Sequence, residues 1–217
     1  MNILITGGTG LVGRSLCQHL HQHGHRISVL SRDPDKVAGL CGGATCVGSL
    51  EQLDNQPPFN AIINLAGAPI ADRRWSTPRR QQLHDSRIGL TDTLVQWMKR
   101  QDRPPATLIS ASATGWYGDR ADELLDEHSQ PAADDFASQL CRDWEKSALQ
   151  ASECSRVVLL RIAPVLAAQG GMLARLRLPF SLGLGGRLPR HRRPASLALL
   201  RQKLNHYRFF LAGKPAC

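Results

Sequence analysis

The stretch Asn2-Ile3-Leu4-Ile5-Thr6-Gly7-Gly8-Thr9-Gly10-Leu11-Val12-Gly13 decides the fold. Ile3 to Ile5 reads as a strand covered on both faces, and Gly7, Gly10 and Gly13 follow at three-residue spacing where a helix begins. Glycine there lets the chain turn sharply, lets backbone N–H groups approach a pyrophosphate, and lets helix and strand pack closely. The anion then sits on the helix N-terminus. Val12, Leu16 and Leu20 fall four apart on one predicted helical face, and Gly24 stops the helix before a second strand, Arg26 to Leu30. The unit is βαβ with the glycines in its first turn.

Outward from that unit, the end of the second strand is diagnostic. An acid there would take the adenosine ribose hydroxyls of a dinucleotide. The sequence has Ser31-Arg32 instead, and Arg32 can pair with a 2′-phosphate through its planar fork, which favours NADP over NAD. A short helix and a weak strand at Ala44 to Val47 come next, then a buried strand from Asn60 ending in Asn64-Leu65-Ala66-Gly67-Ala68. Small residues at such a strand end let a flat cofactor lie against the backbone. A loop, Pro69 to Pro78, precedes a long helix predicted over Thr77 to Lys99, with Leu83, Ile88, Leu94 and Trp97 on its buried side and Arg87 placed to reach phosphate or ribose. The strand Ala106 to Ser110 runs into Ser-Ala-Ser-Ala-Thr-Gly-Trp-Tyr-Gly-Asp, where Ser112 and Tyr117 are the polar candidates to hold a substrate hydroxyl or carbonyl. A helix over Phe136 to Ala151 and a strand over Arg156 to Leu166 follow, with Val165 near the nicotinamide.

Composition narrows the classes. A 217-residue chain buries a substantial core, no apolar run is long enough to span a bilayer, and the N-terminus lacks a secretory signal pattern, so a cytoplasmic protein without membrane contact is expected. Six scattered cysteines form no Cys-x-x-Cys pair. His19 and His23 have the i, i+4 spacing of two metal ligands but no nearby acid or thiol to complete a shell, so no metal is expected. The net charge of +9 is concentrated at one end: residues 187–217 hold eight Lys or Arg and no acid, leaving only +1 on residues 1–186.

The segments GGTGLVG, SRDPDK, NLAGAPIADRRW, DSRIGLT, SASATGWYGD, CRDWE, LRIAPVLA and PFSLGLGG, in this order over residues 1–186, resemble the short-chain dehydrogenase/reductase superfamily in its atypical, epimerase-like branch, the NAD-dependent epimerase/dehydratase family. The resemblance implies an α/β fold with a doubly wound parallel sheet, NADP across the strand ends, and a smaller C-terminal substrate lobe. It implies cofactor contacts at Gly7, Gly10, Leu11, Val12, Gly13, Ser31, Arg32, Leu65, Ala66, Gly67, Arg87 and Val165, and an unidentified small substrate, a sugar nucleotide or a carbonyl compound. Residues 1–169 then form the NADP-binding domain, 170–186 the start of the substrate lobe, and 187–217 a basic tail.

Two departures qualify the resemblance. Oxidoreductases of the superfamily use a Tyr-x-x-x-Lys pair for proton transfer. The corresponding helix offers Phe136 and Leu140, so Ser112 and Tyr117 are left as the catalytic candidates. After Gly186 the family's Trp-Ile-His segment is replaced by Arg187-Leu188-Pro189-Arg190-His191-Arg192-Arg193, which suggests a shift of reading frame or an interruption near residue 187. Loss of the final strand and lobe would leave an open edge at Arg156 to Leu166, with low solubility or self-association expected. Three readings of the tail stand side by side, binding to nucleic acid or an anionic membrane, packing over that edge, and out-of-frame sequence, of which the last is favoured and nucleic acid is the least favoured partner. Function is read as an NADP-binding oxidoreductase or epimerase-like protein, with a non-catalytic NADP-binding sensor or scaffold as the alternative.

Overall fold

The computed structural model describes residues 1–54, 56–131, 135–167, 170–171 and 180–182. The β-branched and leucine-rich runs form the strands β1 (Asn2–Thr6), β2 (Arg26–Leu30), β3 (Thr45–Val47), β4 (Ala61–Asn64), β5 (Thr107–Ala113) and β6 (Arg156–Ile162). They make one sheet in the order β3-β2-β1-β4-β5-β6, with the pairs from β3 through to β5 parallel. Consecutive strands step outward from β1 in one direction and from β4 in the other, so the order reverses between these two central strands. In doubly wound sheets that reversal opens a crevice beyond the strand C-termini where ligands bind.

Helices cover both faces, as parallel strands buried on both sides require. On one face α1 (Leu11–Gln22) and α2 (Pro34–Leu40) enclose Ile3, Ile5, Cys17, Ile27, Val29, Val37 and Ile63. On the other, α4 (Leu90–Lys99) and α5 (Phe136–Leu149) close over Leu4, Ile62, Leu94, Met98, Leu108 and Ala148. Alternation along each strand divides these sets: Ile3 and Ile5 face α1, and Leu4 between them faces α4.

Three expectations change on contact with the structure. The buried stripe of α1 is Gly13 and Cys17, flanked by the partly buried Leu16 and Leu20, and Val12 is exposed, because the helix start lies against the loop residues Gly7 and Gly8 too closely for any side chain at residue 13. The long helix is interrupted: α3 (Thr77–His84) passes into a π-helical turn at Asp85–Gly89 before α4. The expected strand to Leu166 ends at Ile162, where Pro164 soon follows. Among the described residues β6 lies at one edge of the sheet, opposite β3, and its side chains are half-buried except for the exposed Arg156 and Leu160.

The chain divides into two compact units, residues 1–112 with 140–160, and residues 113–139 with those from 161 onward. Most of the expected start of the substrate lobe, residues 172–179 and 183–186, and the basic tail lie outside the described residues.

Candidate functional site

The larger unit builds a cradle at the crevice between β1 and β4. Gly7 turns the chain out of β1 with φ +69°, and a Cβ there would lie 2.7 Å from the carbonyl carbon and oxygen of Leu65. Any side chain is therefore excluded twice, by backbone conformation and by the strand end beside it. A Cβ on Gly13 would lie 2.3 Å from the Gly7 carbonyl oxygen, so the first turn of α1 rests directly on the loop. Gly10 donates its N–H to the Gly7 carbonyl at 3.0 Å, and a Cβ on it would meet that same oxygen at 3.2 Å. No side chain caps α1 and no acid stands in its first turn, so the positive end of the helix dipole at Leu11 and Val12 is not offset by a side chain of the helix start. Exposure of Val12 belongs to this arrangement.

Across the crevice, the segment after β4 is held by the π-helical turn. Ser86 Oγ accepts from the Ala68 N–H at 3.0 Å, and Arg87 Nη2 donates to the Ala68 carbonyl at 2.9 Å. Arg87 also donates to the Leu83 carbonyl, and its guanidinium lies where a Cβ on Gly67 would be, 2.9 Å from Cζ. Two successive side chains of the π turn thus hold Ala68, one at its N–H and one at its carbonyl, and π turns recur at functional sites. Burial holds the Arg87 guanidinium below its ordinary pKa, with the Cys141 thiol opposing the shift and Arg79 adding to it. The guanidinium also sits 5.3 Å from the Trp144 ring centroid.

Beneath the cradle runs a buried polar network. Thr6 Oγ1 donates to Asn64 Oδ1 at 2.6 Å, and Asn64 Nδ2 donates to Thr91 Oγ1 at 2.9 Å and to Ser110 Oγ at 3.3 Å. Thr91 donates to the Arg87 carbonyl and accepts from Trp144 Nε1. Thr6 Oγ1 accepts the Ala66 N–H at 3.3 Å, so the network ties β1, β4, β5, α4 and α5 to the segment facing Gly7.

At the end of β2, Ser31 Oγ accepts the Asp33 N–H at 3.2 Å and Arg32 is exposed. Asp33 turns away from Arg32: it caps α2 through the Lys36 N–H at 3.1 Å and pairs with Lys36 Nζ at 2.8 Å. The hydrogen bond to Lys36 holds the Asp33 carboxyl below its usual pKa.

The two catalytic candidates are each engaged with a partner that sequence reasoning passed over. Ser112 Oγ donates to Glu145 Oε1 at 2.6 Å, and both residues are 3% exposed. In the smaller unit the Tyr117 hydroxyl accepts from Arg161 Nη1 at 3.1 Å, and that guanidinium stacks 4.0 Å from the Trp116 ring centroid. Val165 is half-buried beyond β6. A signal for Glu145 was available. It falls within the apolar stripe Cys141, Trp144 and Ala148 of α5, and a charge at such a position conflicts with its element unless a buried partner answers it.

Comparisons with known proteins agree with this geometry. An epimerase family protein of Mycobacterium bovis is 37% identical over 216 residues, covering 97% of this chain and 69% of that protein. That coverage carries the alignment past residue 187. The Arabidopsis thaliana chloroplastic homolog of epimerase family protein SDR39U1 is 34% identical over 195 residues, 87% of this chain and 56% of its own length. The crystal structure of human SDR39U1 with NADPH superposes with a TM-score of 0.73 at 31% identity, covering 86% of this chain and 61% of that one. The chain thus spans little more than half of the plant relative and about three fifths of the human one. The model of the NAD dependent epimerase/dehydratase family matches residues 3–180. With its glycine cradle at the sheet's switch point, the chain belongs to the NAD dependent epimerase/dehydratase family and carries its NAD(P)-binding fold.

Proposed function

We propose that the chain binds NADP(H) across the ends of β1, β2 and β4 and serves an oxidoreductase or epimerase-like reaction on a small substrate bearing a hydroxyl or carbonyl group, a sugar nucleotide or a simpler carbonyl compound. The observation that carries the NADP reading is the end of β2. Arg32 stands exposed where an acid would select NAD, and Asp33, the acid beside it, is turned to Lys36 and the start of α2.

The residues present fit the cofactor. The uncapped first-turn N–H groups of Leu11 and Val12, with Gly13 packed against the loop beneath them, suit a pyrophosphate, and the cradle offers the close backbone approach that this group needs. Arg32 would take the 2′-phosphate as a fork and Ser31 would stand beside it. Leu65, Ala66 and Gly67 would lie along the cofactor, with Arg87 stiffening that wall. When bound, the nicotinamide supplies a hydride donor or acceptor. Ser112 is the group of the larger unit proposed to orient the substrate oxygen, and Tyr117 is the polar candidate of the smaller unit.

The test is the affinity for NADPH and NADH, read by quenching of tryptophan fluorescence. Wild type is expected to prefer NADPH, and Arg32→Glu to lose NADPH affinity by roughly tenfold to a hundredfold without a change in melting temperature. Equal affinities in wild type, unmoved by the substitution, would overturn the NADP assignment.

A second reading, a non-catalytic NADP-binding sensor or scaffold, draws on the apolar residues Phe136 and Leu140 where a Tyr-x-x-x-Lys pair would stand. NADPH binding with no consumption across a panel of sugar nucleotides and carbonyl compounds would favour it.

A further inference from the structure

The buried pair Ser112–Glu145 carries a consequence for what the strand ends accept. Ser110 pairs in register with Asn64, the last residue of β4, and Ser112 lies two residues further along β5. Residues two apart share a face, so Ser110 and Ser112 both look towards the layer of α4 and α5. That layer presents Trp144, which bonds to Thr91 in the polar network, and next to it Glu145, which takes the Ser112 proton. Ser112 therefore sits one strand over from the cradle wall and just beyond the network that supports it.

A serine hydroxyl has one proton and two lone pairs. An unconstrained hydroxyl rotates to suit its neighbour and serves a carbonyl or an alcohol equally well. Ser112 lacks that freedom, since its Oγ lies 2.6 Å from a carboxylate oxygen, a separation typical of a strong charge-assisted bond. Glu145 is 3% exposed, so water does not compete for the proton. We infer that Glu145 is a positioning residue that makes Ser112 a fixed hydrogen-bond acceptor, so that the strand end takes a donating group, the hydroxyl of an alcohol, in preference to a carbonyl oxygen. A carbonyl presented there meets lone pairs and leaves its own oxygen unpaired, and a site built for one partner rejects the other on that account. This assignment rests on the reading of the strand ends as the substrate site and narrows the substrate class within it.

The matched probes isopropanol and acetone share one heavy-atom skeleton and differ in the hydroxyl proton. Each is titrated into the whole protein labelled with 13C-serine, with the Ser112 Cβ resonance assigned by its loss in Ser112→Ala. In wild type, isopropanol is expected to shift that resonance at a concentration about tenfold below acetone. Glu145→Gln, whose amide can donate as well as accept, is expected to remove the difference while keeping the side-chain volume. The Ser112 hydroxyl proton is also expected to exchange with water about tenfold faster in Glu145→Gln than in wild type, as a charge-assisted bond becomes a neutral one. Acetone acting as well as isopropanol in wild type, neither probe moving the resonance, or equal hydroxyl exchange in both proteins would each overturn the assignment. NADPH affinity is measured in parallel: its absence beside an isopropanol preference refutes the cofactor reading and upholds the role of Glu145.

Discussion

The ends of β4 and β5 lie side by side in one sheet and are built on opposite principles. Beyond β4 the cradle is made of backbone: Gly7 against Leu65, Gly13 against Gly7, and Ala68 gripped at both its N–H and its carbonyl. Near the end of β5 the proposed substrate contact is a side chain, Ser112, hydrogen-bonded to Glu145, 33 residues away in sequence. A backbone site holds any ligand of the right shape and charge, and its tolerance of substitution is close to nil. A side-chain site can be retuned by one residue with the fold intact. The difference teaches where a cofactor and where a substrate are expected to be recognised: the fixed half for the part common to a family, the adjustable half for the part that varies.

The most severe way to break that contrast is to place a side chain in the fixed half. In Gly13→Val the new Cβ falls 2.3 Å from the Gly7 carbonyl oxygen and 2.7 Å from the Gly8 Cα, both backbone atoms that cannot swing aside. The expected cost is about 3 kcal/mol or more, with loss of NADPH binding, measured by urea denaturation and fluorescence titration. Glu145→Gln, by contrast, is expected to leave NADPH affinity within about threefold of wild type, because it touches only the adjustable half. A folded Gly13→Val protein with normal NADPH affinity would show that the cradle is not what holds the cofactor.

The next test asks whether the network beneath the cradle joins the two halves. Asn64 is fully buried and bonds Thr6, Thr91 and Ser110 at once. Asn64→Ala removes one partner from each of three buried hydroxyl groups and leaves the Thr6 proton without its acceptor, and a loss of about 2–3 kcal/mol is expected by urea denaturation. A larger share of that loss should fall on the cradle, since Thr6 also holds the Ala66 N–H. Hydrogen exchange at Ala66 should therefore rise more than at Ser112.

The contrast also governs what the sequence discloses. Glycine spacing is a local signal, and the backbone demands that create it are local, so Gly7, Gly10 and Gly13 announced the cradle and the βαβ unit around it. The strands were legible for the same reason: β2 spans Arg26–Leu30 as the apolar run predicts. Sequence pattern did not reveal the π-helical turn at Asp85–Gly89, because hydrophobic periodicity averages over a helix and one inserted residue hardly disturbs it. The partners Glu145 and Arg161 were missed because nothing in local spacing joins Ser112 to α5 or Tyr117 to β6. The charge inside the apolar stripe of α5 was the available clue. Val12 was misread because an ideal helical face takes no account of how near a glycine lets the helix come.

The smallest expected effect concerns the packing under the glycine loop. The Cys17 thiol is fully buried below Gly8, whose Cβ would lie 3.3 Å from Sγ. Burial first, and then the neighbouring Cys41, push its pKa from 9.0 up to about 12. In the unfolded chain the thiol ionises near its ordinary value, so above that pH the unfolded state has lost a proton that the folded state keeps. Stability contributed by the buried neutral thiol is complete below about pH 9 and declines as pH rises towards 12, with a slope of at most about 1.4 kcal/mol per pH unit. Urea denaturation of wild type and Cys17→Ala between these limits separates this effect from general alkaline unfolding. The substitution lowers stability at neutral pH by opening a small cavity, and it should flatten the alkaline decline. An unchanged alkaline slope in Cys17→Ala would mean that the thiol ionises freely in the folded chain, and with it that the layer beneath the fixed half of the site is looser than its backbone contacts imply.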